Sequence, residues 1–258
     1  MASQPPANLP LFYKDLVPLS SNDHADWHTR PTDALPFLAI EHAVPIAVEE
    51  FIPCQRSFPI VFSSGESSVP LALMALNAGM NTMIGEDGRM SREAYVPAYI
   101  RRYPFMLARL RPDTDELSLC FDPTSEAIGP GEEGAPLFVD GEPSDATKSI
   151  LQFCEGFEQA AAQTTAFMAE LNGSGLLIDG EVKIEQPEQE QPFVYRGFRM
   201  VDQDKLKDMR GDQLRKWSQN GMLPLLYAHL FSLGLVSDLF GRQVRMGKLP
   251  DMMGTAAA

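Results

Sequence analysis

The sequence predicts an α+β protein in which an antiparallel, β-rich N-terminal half packs with one long helix and a C-terminal helical segment. Short runs of Val, Ile and Phe, broken by Pro or by Ser-Gly, fill residues 37–84 and indicate strands. Apolar residues at helical spacing run from Ala146 to Leu171. A second helical region follows Asp202. Together these patterns place most strands before the long helix and most helices after it.

The domain organisation follows from the absence of an internal linker or repeat in the sequence. We expect residues 11–245 to form a single domain, because the long helix needs a sheet to cover. The Pro- and Ala-rich residues 1–10 are expected to be a flexible arm, and residues 246–258 a flexible tail.

Composition limits the classes of function. The chain has 258 residues and a formal net charge of −14, which argues against binding to nucleic acid or to anionic membranes. The N-terminus has no basic and no apolar signal region, and no uninterrupted apolar run reads as long enough to span a membrane. We therefore expect a soluble cytoplasmic protein without membrane insertion. Cys54, Cys120 and Cys154 are widely spaced in apolar surroundings and are expected to be free, buried thiols.

The predicted strands of the front half are the runs AVPIAVEEF, SFPIVF and SVPLALMAL. Turn residues between them predict an antiparallel meander over Phe58–Ile84. A further strand pair is predicted at Phe105–Leu110 and Leu117–Phe121. The stretch Asp122–Pro143 is predicted to be a long acidic loop with PLFVDGEP as an ordered island.

In the back half, Asp145 is the predicted cap of the long helix, and Asp179-Gly180 reads as the turn of a hairpin. The run FVYRGFRMV is predicted to be a strand. Asp202 and Asp212 are predicted to cap two short helices, and a last helix is expected from Leu223 to Leu233 with Gly234 as its stop.

The strongest local anomaly is the stretch Gly88–Arg111, which carries six arginines and one acidic residue in an acidic chain. A short helix from Pro97 to Tyr103 is predicted, with Tyr95, Tyr99 and Tyr103 on one face. Arg101 and Arg102 are expected to point away from that face.

Two interpretations of this stretch remain open. Arginine forks and tyrosine hydroxyls suit a surface that binds an anion or a partner protein. Alternatively, the tyrosines pack and the arginines pair with the acidic residues that follow, since Pro112–Thr147 contains no Lys or Arg. We further expect the Tyr95–Tyr103 segment to act as a hinge and to border the main functional cleft.

Histidine and tryptophan supply the remaining candidates. His24 and His28 stand four residues apart around Trp27 on a predicted helical turn, a spacing that suits a metal site or, alternatively, capping and packing around Trp27. His229 lies beside the apolar face of the last predicted helix, where it is either a core residue or a binding or catalytic residue.

Several of these same segments resemble the SapC-like family of bacterial proteins. The most specific is YVPAYIRRYPF at residues 95–105, together with LFYKDLVPLSSNDHADWH near the start. Weaker matches are AVPI at 43–46, FPIVF at 58–62, PLFVDGEP at 136–143, GFRMVD at 197–202 and LYAHLFSLG at 226–234. The resemblance runs from about Leu11 to Phe240. It implies a role with bacterial surface layers, and an association with TonB-dependent receptors and tryptophan-halogenase-like proteins in nutrient uptake. It supplies no catalytic residues, and the peptide-transport label given to some members fits a chain without spanning segments poorly.

Two hypotheses about function therefore stand. The first is a non-enzymatic binding or accessory protein, because no nucleophile elbow, P-loop, dinucleotide fingerprint or metal triad is recognisable. Its partner would be a halogenase-like or uptake-associated protein, or a small anionic ligand. The second is an enzyme or enzyme subunit, in which Arg101 and Arg102 hold an anionic or carbohydrate-derived substrate and Tyr99 or His229 moves protons. No cofactor is expected in either case.

Overall fold

The structure is a computed structural model that describes residues 9–65, 67–111, 113, 115–185, 192–248 and, for the backbone alone, 254–255. Most of the predicted arm and tail, and most of the polar loop EQPEQEQP, lie outside these residues.

Most strands precede the long helix and most helices follow it, as the sequence predicts; the described exceptions are two one-turn helices before it and three strands after it. The strands are β1 (Val17–Pro18), β2 (Trp27–Thr29), β3 (Ala43–Pro45), β4 (Ile60–Phe62), β5 (Pro70–Leu73), β6 (Phe105–Arg109), β7 (Leu117–Phe121), β8 (Ile128–Pro130), β9 (Ala135–Pro136), β10 (Phe138–Val139), β11 (Glu142–Pro143), β12 (Leu177–Ile184), β13 (Phe193–Val201) and β14 (Gly254–Thr255). The helices are α1 (Phe51–Cys54), α2 (Ala98–Arg101), α3 (Asp145–Gly173), α4 (Gln203–Lys207), α5 (Gly211–Gln219), α6 (Met222–Ser232) and α7 (Val236–Arg245). Single 3-10 turns occupy Pro36–Leu38, Val48–Glu50 and Leu233–Leu235.

The mixture of helices and antiparallel sheets confirms the predicted α+β class. Within it the chain divides into two compact units, one built from Met1–Asp33 and Ala98–Gln159, the other from Ala34–Pro97 and Ala160–Ala258. The boundary near Gln159 falls inside α3, so this helix contributes residues to both units.

The first unit contains two small three-stranded sheets, ordered β1-β7-β6 and β8-β2-β9, and the hairpin β10-β11. The predicted pair β6 and β7 is antiparallel, with Phe105 opposite Phe121. These two rings pack with Leu137 and with Cys154 of α3 in one apolar cluster. The sequence pattern of alternating apolar residues therefore predicts this pair correctly, because one face of it is buried.

The second unit is built around a six-stranded sheet in which β12-β13-β4-β5-β3 form a continuous order and β14 pairs with β13. The helices α4 to α7 follow β13, and Asp202 caps α4 as predicted by accepting bonds from the backbone of Asp204 and Lys205. Trp217 of α5 and Tyr195 of β13 are fully buried in this unit.

Several local predictions are wrong, and the reason is physical in each case. Asp179-Gly180 is not a hairpin turn but an irregularity inside the continuous strand β12, where a Cβ atom on Gly180 would collide with the ring of Phe198. The AVPIAVEEF run leaves the sheet after Pro45, because the carboxylate of Glu50 bonds back to the backbone of Ala47 and starts a helical turn.

The last helical region is longer than predicted. Gly234 does not end it; a 3-10 turn joins α6 to α7. The resulting stretch Met222–Arg245 is long and apolar enough, by length and composition alone, to cross a membrane, which corrects the expectation that no such run exists. In the structure, polar side chains on its buried face bond to backbone groups of the second unit: Ser232 accepts from Ile60 N–H at 2.8 Å, and Gln243 accepts from Leu76 N–H.

All three cysteines are free and buried, as the sequence predicts. Burial raises the pKa of the Cys120 thiol to about 11 and raises that of Cys54 still further. These thiols are therefore protonated at neutral pH.

The single-domain prediction can be tested by limited proteolysis. The stretch Asp122–Pro143 is not the predicted long loop, because it contains β8 to β11, so within it we expect cleavage at the exposed residues 131–134. We expect the other first cuts before Leu11 or within residues 185–192, and no stable fragment, because each unit combines two distant segments of chain. Size-exclusion chromatography and circular dichroism of the nicked protein provide the measurement. Recovery of two fragments that each melt cooperatively would contradict a single domain.

Candidate functional site

The Arg- and Tyr-rich stretch turns the chain from a helix into a strand. The one-turn helix α2 spans Ala98–Arg101, and the N–H of Arg102 still bonds to Ala98 O at 2.9 Å. The N–H of Phe105 then bonds to Arg102 O at 2.7 Å, the Tyr103–Pro104 peptide is cis, and β6 begins. This geometry leaves Arg101 exposed and turns Arg102 inward. The expectation that both arginines point away from the tyrosines is therefore wrong for Arg102.

Arg102 is enclosed by aromatic rings. Its guanidinium carbon lies 4.3 Å from the ring centre of Tyr99, 4.2 Å from that of Phe157 and 5.9 Å from that of Tyr13. The side chain is only 6% exposed. We call these three rings the arginine cage. Each ring attracts the cation, by up to about 2 kcal/mol where water is excluded.

The polar partners of Arg102 are incomplete. Its Nη1 lies 4.0 Å from Oε1 of Glu158, a long distance for an ion pair, and the Glu158 side chain is 40% exposed. Its Nε is buried and has no hydrogen-bond partner. An unsatisfied buried donor costs about 1–3 kcal/mol, and more when it is charged. The aromatic faces attract the charge but do not satisfy this N–H group.

The tyrosines of the cage are held by their own hydroxyl groups. Tyr13 donates to Phe105 O at 2.7 Å, and Tyr99 donates to Leu11 O at 3.4 Å. Burial raises the pKa of Tyr13 well above its usual value. Both hydroxyls donate to backbone carbonyls, which holds these two walls of the cage in place.

Tyr103 and Asp122 support the same region from the other side of the turn. The hydroxyl of Tyr103 lies 3.4 Å from Oδ2 of Asp122, and burial raises the pKa of Tyr103. Asp122 is fully buried and accepts from the backbone N–H of Lys14 at 2.7 Å. Phe12 packs edge-on against both Tyr99 and Tyr103. Residues 11–14 and 99–103, from the two most distinctive sequence blocks, thus meet in one cluster.

An open pocket of about 290 Å³ lies beside the cage, between the end of α2 and the first turns of α3. We call it the arginine pocket; its lining residues are Arg101, Arg102, Phe105, Ser149, Ile150, Phe153 and Cys154. The guanidinium of Arg101 lies over the ring of Phe153 at 5.1 Å. The hydroxyl of Ser149 donates to the carbonyl of Asp145 at 2.8 Å, so the two guanidinium groups are the free donors of the lining.

The chemistry of this lining suits binding rather than proton transfer. It contains neither a carboxylate nor an imidazole. Burial raises the pKa of Cys154 to about 11, so its thiol is a poor nucleophile at neutral pH. Two guanidinium groups among apolar walls can hold an anion.

Tyr95 does not join the cage. It belongs to the second unit, where its hydroxyl donates to Oε1 of Glu50 at 2.9 Å and its N–H to Oγ of Ser57 at 3.0 Å. It precedes α2 and so lies outside the helical face predicted for the three tyrosines.

His24 and Trp27 form a packed group instead of a helical face. A turn ends at His24, and Trp27 and His28 lie on strand β2, so the predicted helical spacing of the two histidines is wrong. The ring centres of His24 and Trp27 are 4.9 Å apart, and each ring also packs edge-on against Phe121. The alternative of packing around Trp27 therefore describes this region better than a shared metal ligand.

His229 is a core residue of the second unit. It is fully buried, its Nδ1–H donates to Ile60 O at 2.8 Å, and its Nε2 accepts from Val201 N–H at 3.1 Å. Burial lowers its pKa to about 4. Both nitrogens are engaged with the backbone, which leaves neither for a substrate.

The arginines follow the second interpretation of the sequence only in part. Arg102 faces Glu158 of α3, and Arg109 bonds to Asp115 at 2.8 Å near the start of the acidic stretch. The sequence analysis does not include Phe153, Phe157 and Glu158 among the candidate site residues, because apolar residues at helical spacing on α3 indicate only a buried helix face. The (i, i+4) pair of Phe153 and Phe157, followed at once by Glu158, was the available signal.

Comparison with known proteins identifies the family. The sequence profile of the SapC family matches residues 19–239, which is most of the chain, and the chain belongs to that family. The match begins after Leu11–Lys14, so that part of the resemblance lies outside it. No curated protein and no solved structure matched the chain.

The role of His229 predicts a specific pH dependence of stability. Its folded pKa is depressed from 6.5 to about 4, so the unfolded chain binds the extra proton and stability falls as the pH drops from 6.5 towards 4. Between pH 6.5 and 5 we expect a loss of about 1.5 kcal/mol from this group. Urea unfolding at both pH values gives the measurement, and the slope should be smaller in His229→Gln. Burial also lowers the pKa of His42, which adds to the pH dependence in the same direction. Because His42 is present in both proteins, its contribution cancels when the two slopes are compared.

An equal pH dependence in His229→Gln and the wild-type protein would contradict a buried neutral His229.

Proposed function

We propose that this SapC-family protein is a non-enzymatic binding or accessory protein whose arginine pocket holds an anionic group. The observation that carries the proposal is the guanidinium of Arg102, which is almost fully buried, held by the arginine cage and left with an unpartnered Nε beside the pocket. A buried charge with an unsatisfied donor lowers stability, and a bound anion removes that cost.

The cellular setting of the proposal comes from the resemblance. The protein acts in the cytoplasm with bacterial surface, TonB-dependent nutrient-uptake or tryptophan-halogenase-like systems, either by holding a small anionic ligand or by receiving an acidic group of a partner protein. Because the chain as a whole carries a net charge of −14, a pocket with two arginines is a distinct local site for an anion.

The enzyme hypothesis has less support. It needs a proton-transfer group beside Arg102, and the pocket lining offers a protonated thiol and a hydroxyl that is already bonded. His229 is bonded on both nitrogens within the other unit. Tyr99 remains beside Arg102, but its hydroxyl donates to Leu11.

The proposal predicts that replacing Arg101 and Arg102 together by Gln weakens anion binding by about 1–3 kcal/mol for each lost charge-assisted contact. The melting temperature should change little in comparison, because the same substitution removes both the cage contacts and the unsatisfied donor. Thermal melts and calorimetric titration with acetate, phosphate and 3-phenylpropionate provide the measurements.

The double variant Arg109→Gln/Arg111→Gln is the matched control, since it removes the same charge from exposed positions outside the pocket lining. It should bind as the wild-type protein does. A large loss of stability in Arg101→Gln/Arg102→Gln with intact anion binding would instead assign the arginines a purely structural role.

A further inference from the structure

The free donor of Arg102 lies on one edge of its guanidinium plane. Nη1 faces Glu158, whereas Nε has no partner. Nε and Nη2 share the other edge of the guanidinium plane, and a carboxylate can accept from both at once. Nε has no solvent-accessible surface in the structure, so this contact requires the Arg102 side chain to turn that edge into the pocket. The geometry of the donor therefore favours a side-on carboxylate.

The net charge of the site favours a monoanion. Two guanidinium groups, from Arg101 and Arg102, are opposed by the carboxylates of Glu158 and Glu155, both of which act on the Cys154 thiol of the lining. The site therefore has no excess of positive charge that would suit a dianion. A phosphate monoester at neutral pH carries close to two negative charges and three acceptor oxygens. The hydroxyl of Ser149 is bonded to Asp145, so the donors left for a phosphate are those of the two guanidinium groups, whose charge Glu158 and Glu155 already offset. Burying a poorly bonded dianion here is costly.

The remaining walls are apolar. Phe105, Ile150 and Phe153 and the protonated thiol of Cys154 make up the rest of the lining. A cavity of about 290 Å³ corresponds to about ten water volumes, or a ligand of about ten non-hydrogen atoms. An apolar group of that size gains free energy by leaving water at these walls.

We infer that the arginine pocket binds a carboxylate carried on a compact apolar body, such as an aryl or branched alkyl acid, with the carboxylate on Arg102 and the apolar body against Phe153 and Ile150. The inference rests on the proposed function and narrows its ligand class. The same chemistry is found in a free organic acid and in the C-terminal carboxylate of a peptide that ends in an apolar residue.

The test is a calorimetric titration of the full chain with 3-phenylpropionate and three comparators. We expect the acid to bind at least tenfold more tightly than the neutral amide of the same skeleton, than acetate, and than phenyl phosphate. Tighter binding of phenyl phosphate, or equal binding of the amide, would overturn the inference. Arginine-dependent binding of phosphate alone would overturn it while the proposed function stands, and no binding of any anion would overturn both.

The two sources are distinguished with a hexapeptide that ends in Phe, prepared with a free and with an amidated C-terminus. Binding of the free-carboxylate peptide alone supports a peptide terminus as the natural form of the ligand. Binding of 3-phenylpropionate without either peptide supports a free acid. Equal binding of both peptides would contradict recognition of the carboxylate.

A steric variant keeps the test valid even if substitution of the buried Arg102 impairs folding. Ser149 is exposed and lines the pocket, so Ser149→Phe should fill the pocket and weaken binding of 3-phenylpropionate at least tenfold. Gln152→Phe is the matched control, since Gln152 is an exposed residue of the same helix outside the pocket lining, and it should leave the affinity unchanged. Wild-type affinity in Ser149→Phe would place the binding elsewhere and overturn the inference.

Discussion

The cation of Arg102, held out of water by three aromatic rings, is the interaction on which the candidate site depends. Removing a guanidinium from water costs several kcal/mol unless partners replace the lost hydration. The rings return part of that free energy through attraction to the cation, each by about 0.5–2 kcal/mol. The carboxylate of Glu158 stabilises the cation less than the rings do, because its side chain is 40% exposed and its Oε1 lies 4.0 Å from Nη1 of Arg102. Nε remains unsatisfied, so the site keeps binding capacity that only an acceptor from outside the cage can use.

The surrounding elements of the first unit keep this cation in place. Helix α2 lasts a single turn, and the bond from Phe105 N–H to Arg102 O starts β6 directly behind it. Tyr13 bonds to the same Phe105 and faces the guanidinium, while Phe157 closes the cage from α3. The cage therefore joins three distant parts of the chain. A small pocket formed in this way has rigid walls, which favours selective binding of a ligand whose charge and size match it.

The sequence predicted the parts of this fold that local pattern determines. Periodicity was sufficient for α3 and for the β6–β7 pair, because each buries one face. Sequence pattern fails where a contact between residues far apart in the chain determines the local conformation. Asp179-Gly180 is predicted to be a hairpin turn, but Gly180 lies within a strand and leaves room for the ring of Phe198. The arginine-rich stretch is also where the structure places the arginine pocket, yet the inward turn of Arg102 brings it against Phe157, about fifty residues away in the chain. His229 was ambiguous in sequence because its backbone partners lie on strands far from it in the chain.

The most direct measurement of the central claim is the NMR resonance of the Arg102 Nε–H group, assigned by its loss in Arg102→Lys. If this donor awaits an anion, its proton should shift downfield as 3-phenylpropionate saturates the protein, since hydrogen bonding to a carboxylate deshields it. The Nε–H resonances of Arg109 and Arg111 should stay where they are. Saturation of the protein with no change at Arg102, or with an equal change at all three arginines, would contradict the account.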